Sequence, residues 1–280
     1  MLQLVVDGVE YNCEGSWNDF TKKRLLLVMR AMIHPGTEGM RMMHTICAML
    51  GLKTGWRVWF SKRSRQFWKT PPAYIQHIAT EPDCLGWLRD EHAVLSEYVI
   101  RGFWFRGIYY QGPPKRMLRI PMVELVQSRE SMVLYKYYQK NQFLQEVVAT
   151  LYRPYNPLWF LKRWNPDWTG DKRMPLNDYT YQRRKKRFGK LPPELVTAIS
   201  KQYSSALQVF EKQHPRVFKT GSNENARGRA WVDLLFSMSG GIFGTLRETE
   251  MTDCAEIFIK LEMDIEQNEK LKRELKLKQQ

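Results

Sequence analysis

Apolar residues recur every three or four positions in several stretches of this chain, and each stretch is bounded by a helix-capping residue, a proline or a glycine. This combination predicts amphipathic α-helices. Thr37 can cap a methionine-rich helix that ends at Gly51, and Pro121 can begin a helix that runs to about Gln139. Further helices are predicted over residues 20–33, 73–80, 85–95, 142–152, 179–188, 192–212, 230–238 and 252–278.

The strongest β signal lies at the start of the chain. Residues 2–6 and 9–13 are rich in strand-forming side chains, and Asp7-Gly8 between them tolerates the positive φ angles of a type I′ turn. Residues 103–110 are aromatic and predict either a strand or a packed loop. The whole pattern predicts a mainly α fold class, a helical protein with a short N-terminal β-hairpin.

Prolines and tryptophans are concentrated in residues 153–176, which hold four prolines together with Trp159, Trp164 and Trp168. This composition predicts an irregular segment that separates two regions. We therefore expect a hairpin and helical domain at residues 1–152 and the irregular segment at 153–176. A helical C-terminal region is expected at 177–280, ending in an amphipathic helix.

Positive charge is concentrated in the middle of the chain. The formal net charge is +15, and residues 101–190 alone carry 19 basic and 6 acidic residues, a difference of +13. With Tyr179, Tyr181 and Phe188, a basic run at the end of this region could bind phosphates and stack on the bases of a nucleic acid. The alternatives are a solvated helix face or a face that meets an acidic protein. The basic patch consists of Arg183, Arg184, Lys185, Lys186 and Arg187.

The sequence lacks the motifs of common catalytic sites. It contains neither a GxSxG nor an HExxH pattern, and its Gly-Gly-Ile-Phe-Gly segment lacks the lysine of a phosphate-binding loop. Asp167, Asp171 and Asp178 could hold Mg²⁺ as in a nuclease. Capping and ion pairing with Lys172 and Arg173 explain the loop carboxylates better. We expect no catalytic residue, no metal and no cofactor, and the chain is predicted not to be an enzyme.

The spacing of the cysteines and the length of the apolar runs indicate the cellular compartment. Cys13, Cys47, Cys84 and Cys254 are scattered without a paired spacing, as in proteins that keep reduced thiols. His44 lies near Cys47, but two ligands do not close a zinc site. No apolar window of about 18 residues occurs, and the N-terminus lacks the pattern of an export signal. These features predict a cytoplasmic protein with no membrane partner.

The last predicted helix has a regular apolar stripe. Phe258, Leu261 and Ile265 lie three and four positions apart, and Leu271 and Leu275 continue the stripe more weakly into a tail rich in Glu and Lys. We interpret Phe258, Leu261 and Ile265 as partner-binding residues. The alternative is that Phe258 and Leu261 pack on the protein's own core and only the part beyond residue 268 projects.

Three stretches carry a family resemblance: residues 144–154 read LQEVVATLYRP, residues 170–177 read GDKRMPLN, and residues 242–246 read IFGTL. Together they resemble proteins encoded in the tail modules of phages and prophages. The C-terminal part resembles tail assembly chaperones, helical proteins that coat the tape-measure protein before the tail tube forms. The resemblance covers chiefly residues 120–265.

This resemblance implies a non-enzymatic factor of virion morphogenesis that acts in the host cytoplasm. Its partner would be a helical client such as the tape-measure protein or another tail protein, and self-association is a further option. Two alternatives stay open. One is a structural subunit of the tail or its connector, and the other is a nucleic-acid-binding protein that uses the basic central region.

Overall fold

A computed structural model describes residues 2–6, 9–81, 85–88, 90, 93–95, 97–114, 120–164, 170–219 and 235–278. The protein is mainly α-helical with a β-hairpin at its start, which confirms the predicted fold class. The α-helices of the described part are α1 (Lys22–Met32), α2 (Glu38–Met49), α3 (Lys62–Phe67), α4 (Pro72–Thr80), α5 (Met122–Tyr138), α6 (Asn141–Leu151), α7 (Trp159–Lys162), α8 (Asp178–Phe188), α9 (Pro193–Gln213), α10 (Pro215–Lys219), α11 (Leu246–Met251) and α12 (Cys254–Lys278).

The described strands form two small antiparallel sheets. Strands β1 (Leu2–Val6) and β2 (Val9–Cys13) form the N-terminal hairpin, and the predicted Asp7-Gly8 turn lies outside the described residues. The second sheet has the order β3 (Gly102–Phe105), β4 (Ile108–Gln111) and β5 (Arg153–Pro154). The aromatic residues 103–110 therefore form a second hairpin, in agreement with the strand alternative.

Side-chain caps begin several helices where the sequence predicts them. The Thr37 hydroxyl accepts a backbone hydrogen bond at the start of α2, and Gly51 after its end has a φ of 67°. Asn177 accepts two backbone hydrogen bonds at the start of α8. These caps satisfy amide groups that have no partner within the helix, so they fix where each helix begins.

The predicted helix over residues 85–95 is wrong in its described part. That part holds a 3₁₀ turn at Gly86–Leu88, and residues 93–95 are not helical. The reason is a close approach to the end of α4, because a Cβ on Gly86 would lie 2.4 Å from the Thr80 carbonyl oxygen. The chain bends tightly there and does not continue as a helix.

The chain forms two compact units that interleave along the sequence. The first comprises Met1–Ile100 with Pro192–Ser205, and the second comprises Arg101–Leu191 with Ala206–Gln280. The segment 153–176, predicted to separate two regions, therefore lies within the second unit. Its residues Arg153 and Arg173 are buried there.

The first unit is built around an apolar core in which α1 packs on α2. Trp17 contacts Phe20 and Trp87, with ring centroids 5.6 Å apart in each pair. Residues 192–205 join this unit through Gln202, whose side-chain oxygen accepts a hydrogen bond from the Ile100 amide at 2.9 Å. A buried backbone amide is thereby satisfied by a residue about a hundred positions away.

The core of the second unit is aromatic beside the β3–β4–β5 sheet. Phe103 stacks on Tyr110 with ring centroids 5.6 Å apart, and Tyr152 lies 5.4 Å from Phe103. Phe188 at the end of α8 contacts both Phe103 and Tyr110, at 5.8 Å and 4.8 Å. We call the sheet face that carries these buried rings the inner face. It fixes α8, and with it the predicted basic patch, against the sheet.

Candidate functional site

The basic patch on α8 is partly used to attach this helix to α6. Arg184 is buried, and its Nε donates a hydrogen bond to the Ala149 carbonyl at 2.9 Å. Burial, together with the charge of nearby Arg153, lowers the pKa of Arg184 to about 10. Lys185 forms an ion pair with Glu146, with 2.6 Å between Nζ and Oε1. Two of the five predicted cations therefore contribute to packing.

The other members of the patch divide between the interior and solvent. Arg187 donates a hydrogen bond to the hydroxyl of a buried tyrosine at 3.0 Å. Phe188, predicted to stack on bases with the basic run, is fully buried in the aromatic core, which corrects that prediction. Arg183 and Lys186 are exposed, and the Arg183 guanidinium lies 5.5 Å from the Tyr179 ring centroid. The continuous run in the sequence is thus not a continuous surface.

A buried network of charges joins α5, β5 and residues 171–173. Arg173 contacts Glu124 at 3.0 Å and Asp171 at 2.7 Å. Arg153 contacts the same two carboxylates, Glu124 at 2.6 Å and Asp171 at 2.7 Å. The side chains of Glu124 and Arg173 are fully buried. Each carboxylate is therefore shared by two guanidinium groups, which compensates charges that would otherwise be costly in the interior.

The network shifts the pKa values of its members. Burial disfavours the charged form of Arg173, but the adjacent Glu124 and Asp171 outweigh burial and raise its pKa. Burial also opposes ionisation of Asp171, yet hydrogen bonds and charge from Arg173, with the charge of Arg153, hold its pKa below its ordinary value. For Arg153 burial dominates, so its pKa is lowered. Asp171 is thus an ionised partner of two arginines.

Among the residues considered as metal ligands, those that the structure describes do not form a metal site. Asp167 lies outside the described residues, and Asp171 is occupied by arginines. The His44 ring stacks on His34 with centroids 4.2 Å apart, and burial raises the pKa of Cys47 to about 12. Within the described ranges, no group of three or more His, Cys, Asp and Glu side chains is placed to hold a metal ion. The expectation that the chain is not an enzyme stays a prediction.

The three stretches that carry the family resemblance have structural roles in the second unit. Arg153 of the first stretch contacts Asp171 of the second. In the third stretch, Gly244 adopts a φ of 76° and Thr245 forms a reciprocal capping box with Glu248 at the start of α11. The described side chains of these motifs therefore fix the fold, and the surfaces that could meet a partner have to be sought elsewhere.

The first half of α12 is packed into the core of the second unit. Phe258 is fully buried, with its ring centroid 4.9 Å from Phe210 and 5.5 Å from Phe218. Phe258 is thus a core residue and not part of a partner-binding surface, which corrects the prediction. Leu261 and Ile265 are half-buried. The apolar rings at the end of α9 and on α10 provide the surface that covers Phe258.

The second half of α12 is exposed. From residue 267 onward, every described side chain of the helix is in contact with solvent. Leu271 and Leu275 lie one turn apart, and Leu277 follows. The sequence pattern indicates the first two as a weak continuation of the stripe, whereas nothing in the spacing indicates Leu277. An anchored helix that presents exposed leucines is the strongest candidate for a protein-binding surface.

Comparison with protein-family models, with curated proteins and with solved structures finds no match for this chain. None of the helices in the described part of the chain combines the length and the apolar character needed to cross a membrane. Function therefore has to be inferred from the surfaces of the molecule itself.

Proposed function

We propose that this protein is a non-enzymatic assembly factor, similar to phage tail assembly chaperones, that binds a helical protein client such as a tape-measure protein. The observation that carries the proposal is the distal part of α12, where Leu271, Leu275 and Leu277 are exposed on a helix anchored by Phe258. Amphipathic helices of this kind bind by placing apolar residues in a groove or against another helix.

The energetics favour binding through this segment. Burying a leucine side chain contributes about 1.5–3 kcal/mol, so the two leucines add about 3–6 kcal/mol to the affinity that the whole contact provides. A free peptide of the same length would be only marginally helical in water. Because the docked half of α12 supplies a preformed helix, less conformational entropy is lost when a partner binds.

The charge of this segment indicates what kind of client fits. Residues 267–278 include five basic and two acidic residues. Lys270 pairs with Glu266 at 2.9 Å and Arg273 lies 4.0 Å from Glu269, so these two cations are partly compensated within the helix. The segment keeps a net positive charge, which complements an acidic helical client.

The test is a pull-down with a tape-measure protein from the same tail module. The variant Leu271→Asp with Leu275→Asp is expected to weaken binding at least about tenfold, because two apolar contacts are replaced by charges. The control is Leu158→Asp with Leu161→Asp, since these leucines are 56% and 60% exposed against 56% and 59% for Leu271 and Leu275. Circular dichroism checks that both variants remain folded.

Two results would contradict the proposal. One is unchanged client binding by the α12 variant, and the other is an equal loss in the control variant. Light scattering on the same proteins tests for self-association. If the α12 leucines hold copies of this chain together and no client binds, the protein is better described as a structural subunit of the tail or its connector.

A further inference from the structure

The outer face of the β3–β4–β5 sheet, opposite its buried inner face, carries a row of aromatic rings. Trp104 on β3 is 73% exposed, and its ring centroid lies 5.4 Å from that of Tyr109 on β4. The Tyr109 ring lies 6.4 Å from that of Tyr155, directly after β5. We call Trp104, Tyr109 and Tyr155 the outer aromatic row. It spans the full width of the sheet.

Backbone pairing holds the row in place. Trp104 lies opposite Tyr109 in the β3–β4 register, and the Tyr155 amide donates a hydrogen bond to the Tyr109 carbonyl at 3.0 Å. Gly102 makes room for the middle ring, because a Cβ there would lie 2.4 Å from the Tyr109 hydroxyl oxygen. The Tyr109 ring therefore rests against the sheet beside Trp104. The ring planes are tilted by 51° between Trp104 and Tyr109 and by 68° between Tyr109 and Tyr155, so each ring offers its own stacking surface on hydrogen-bonded backbone.

Such a face is unusual for a solvated sheet. An antiparallel sheet that covers a core on one side normally presents polar residues on the other. In this sheet the inner face is already apolar, with Phe103 and Tyr110 buried, yet the outer face is aromatic as well. Trp104 does not contribute its exposed surface to folding, so a binding role explains its presence better than a packing role.

The surroundings of the row are positively charged. Arg101 and Arg106 are exposed and stand immediately before and after β3, and the Arg106 guanidinium lies 5.5 Å from the centroid of the Phe105 ring. The Lys172 ammonium lies 4.0 Å from the centroid of the Trp159 ring, so this cation is held by Trp159 and not by the outer aromatic row. A ligand of this face should therefore combine flat rings with negative charge.

We propose that the outer aromatic row binds single-stranded nucleic acid, with bases stacked on Trp104, Tyr109 and Tyr155 and phosphates near Arg101 and Arg106. Stacking needs unpaired bases, which a duplex does not offer. An acidic peptide would satisfy the cations but not the rings, since the face of an aromatic ring is electron-rich and does not attract carboxylates. This surface is separate from the leucines of α12 and does not depend on the proposed client.

The test measures fluorescence anisotropy of a labelled oligothymidylate with the full chain. Trp104→Ala is expected to weaken binding about tenfold, and Trp104→Phe to restore most of the affinity, because a phenyl ring still stacks. The matched control is Trp59→Ala in the first unit, since Trp59 is 74% exposed and should leave affinity unchanged. Because Trp104 is exposed, circular dichroism should show all three variants folded.

Salt and competitors separate stacking from charge alone. For the double variant Arg101→Gln with Arg106→Gln, we plot the logarithm of the binding constant against the logarithm of the salt concentration. The magnitude of this slope is expected to fall by about 1.4, since each lost phosphate contact contributes about 0.7 for single strands. Duplex DNA and polyglutamate should compete poorly. The proposal is overturned if no binding occurs at about 100 µM protein. It is equally overturned if Trp104→Ala binds like wild type, or if duplex or polyglutamate competes as well as the single strand.

Discussion

The buried and the exposed cations of the second unit differ in what they contribute. Arg153 and Arg173 are almost fully buried, and each contacts both Glu124 and Asp171. Arg183 and Lys186 belong to the same basic region but lie in solvent. The comparison shows that the cations of residues 101–190 have two different roles. The buried cations stabilise the fold, and only the exposed cations can act on a ligand.

The largest effect is expected from removing a buried cation. Arg173→Leu leaves Glu124 buried with only one guanidinium, so we expect the free energy of unfolding to fall by about 3–5 kcal/mol. Urea denaturation measures this change. Arg183→Leu is the matched control at an exposed position, and a loss of similar size in both variants would abolish the distinction between the two sets.

The second largest effect on stability is expected at acidic pH, which should weaken the buried network. The pKa of Asp171 in the folded protein lies below its ordinary value of 3.8, so its ionised form stabilises the fold above pH 3.8. That contribution is lost as the pH falls through the lower, folded-state pKa. Urea denaturation over this acidic range should show a steeper loss for wild type than for Asp171→Asn. Equal slopes for the two proteins would show that Asp171 is not coupled to the arginines.

A smaller loss of stability is expected at alkaline pH, from the buried thiol of Cys254. Burial, with a contribution from the charges of Asp253 and Glu124, raises the pKa of Cys254 from 9.0 to about 12. The protonated thiol therefore favours the folded state below pH 9.0, and this stabilisation is lost as the pH rises towards 12. At pH 10 the loss should be about 1 kcal/mol. Cys254→Ala should flatten the alkaline profile, and an unchanged profile would contradict the assignment.

The smallest effect is expected from the exposed cations. Arg183→Gln with Lys186→Gln should change the free energy of unfolding by less than about 0.5 kcal/mol, since neither residue is buried. Thermal and urea unfolding measure it. A loss above about 1 kcal/mol would place these residues among the structural cations and remove the contrast between the two sets.

Local patterns predict much of this fold, because capping residues and turn residues act within a few positions. Thr37 and Pro121 mark helix starts that the structure confirms. The packing of distant segments is not encoded locally. The burial of Phe258 depends on Phe210, and the pairing of Arg173 with Glu124 joins positions 49 apart in the sequence. A continuous basic run likewise does not reveal which side of a helix meets its neighbour.

Exposed sites are harder to predict for a related reason. Trp104 lies on β3, Tyr109 on β4 and Tyr155 directly after β5, so their alignment appears only when the sheet has formed. The aromatic composition of residues 103–110 is visible in the sequence, but it does not distinguish the inner rings from the outer ones. The register of β3 and β4 makes that distinction, because alternate residues face opposite sides.

The sharing of Glu124 between Arg153 and Arg173 also constrains how this protein can evolve. A neutral residue at any one of these positions leaves a buried charge without its full set of partners at the others. Single substitutions are therefore disfavoured, even where the complete set could be replaced by apolar residues. The positions should therefore change together along a lineage. A relative that lacks the arginine at position 173 is expected to lack the carboxylate at position 124 as well.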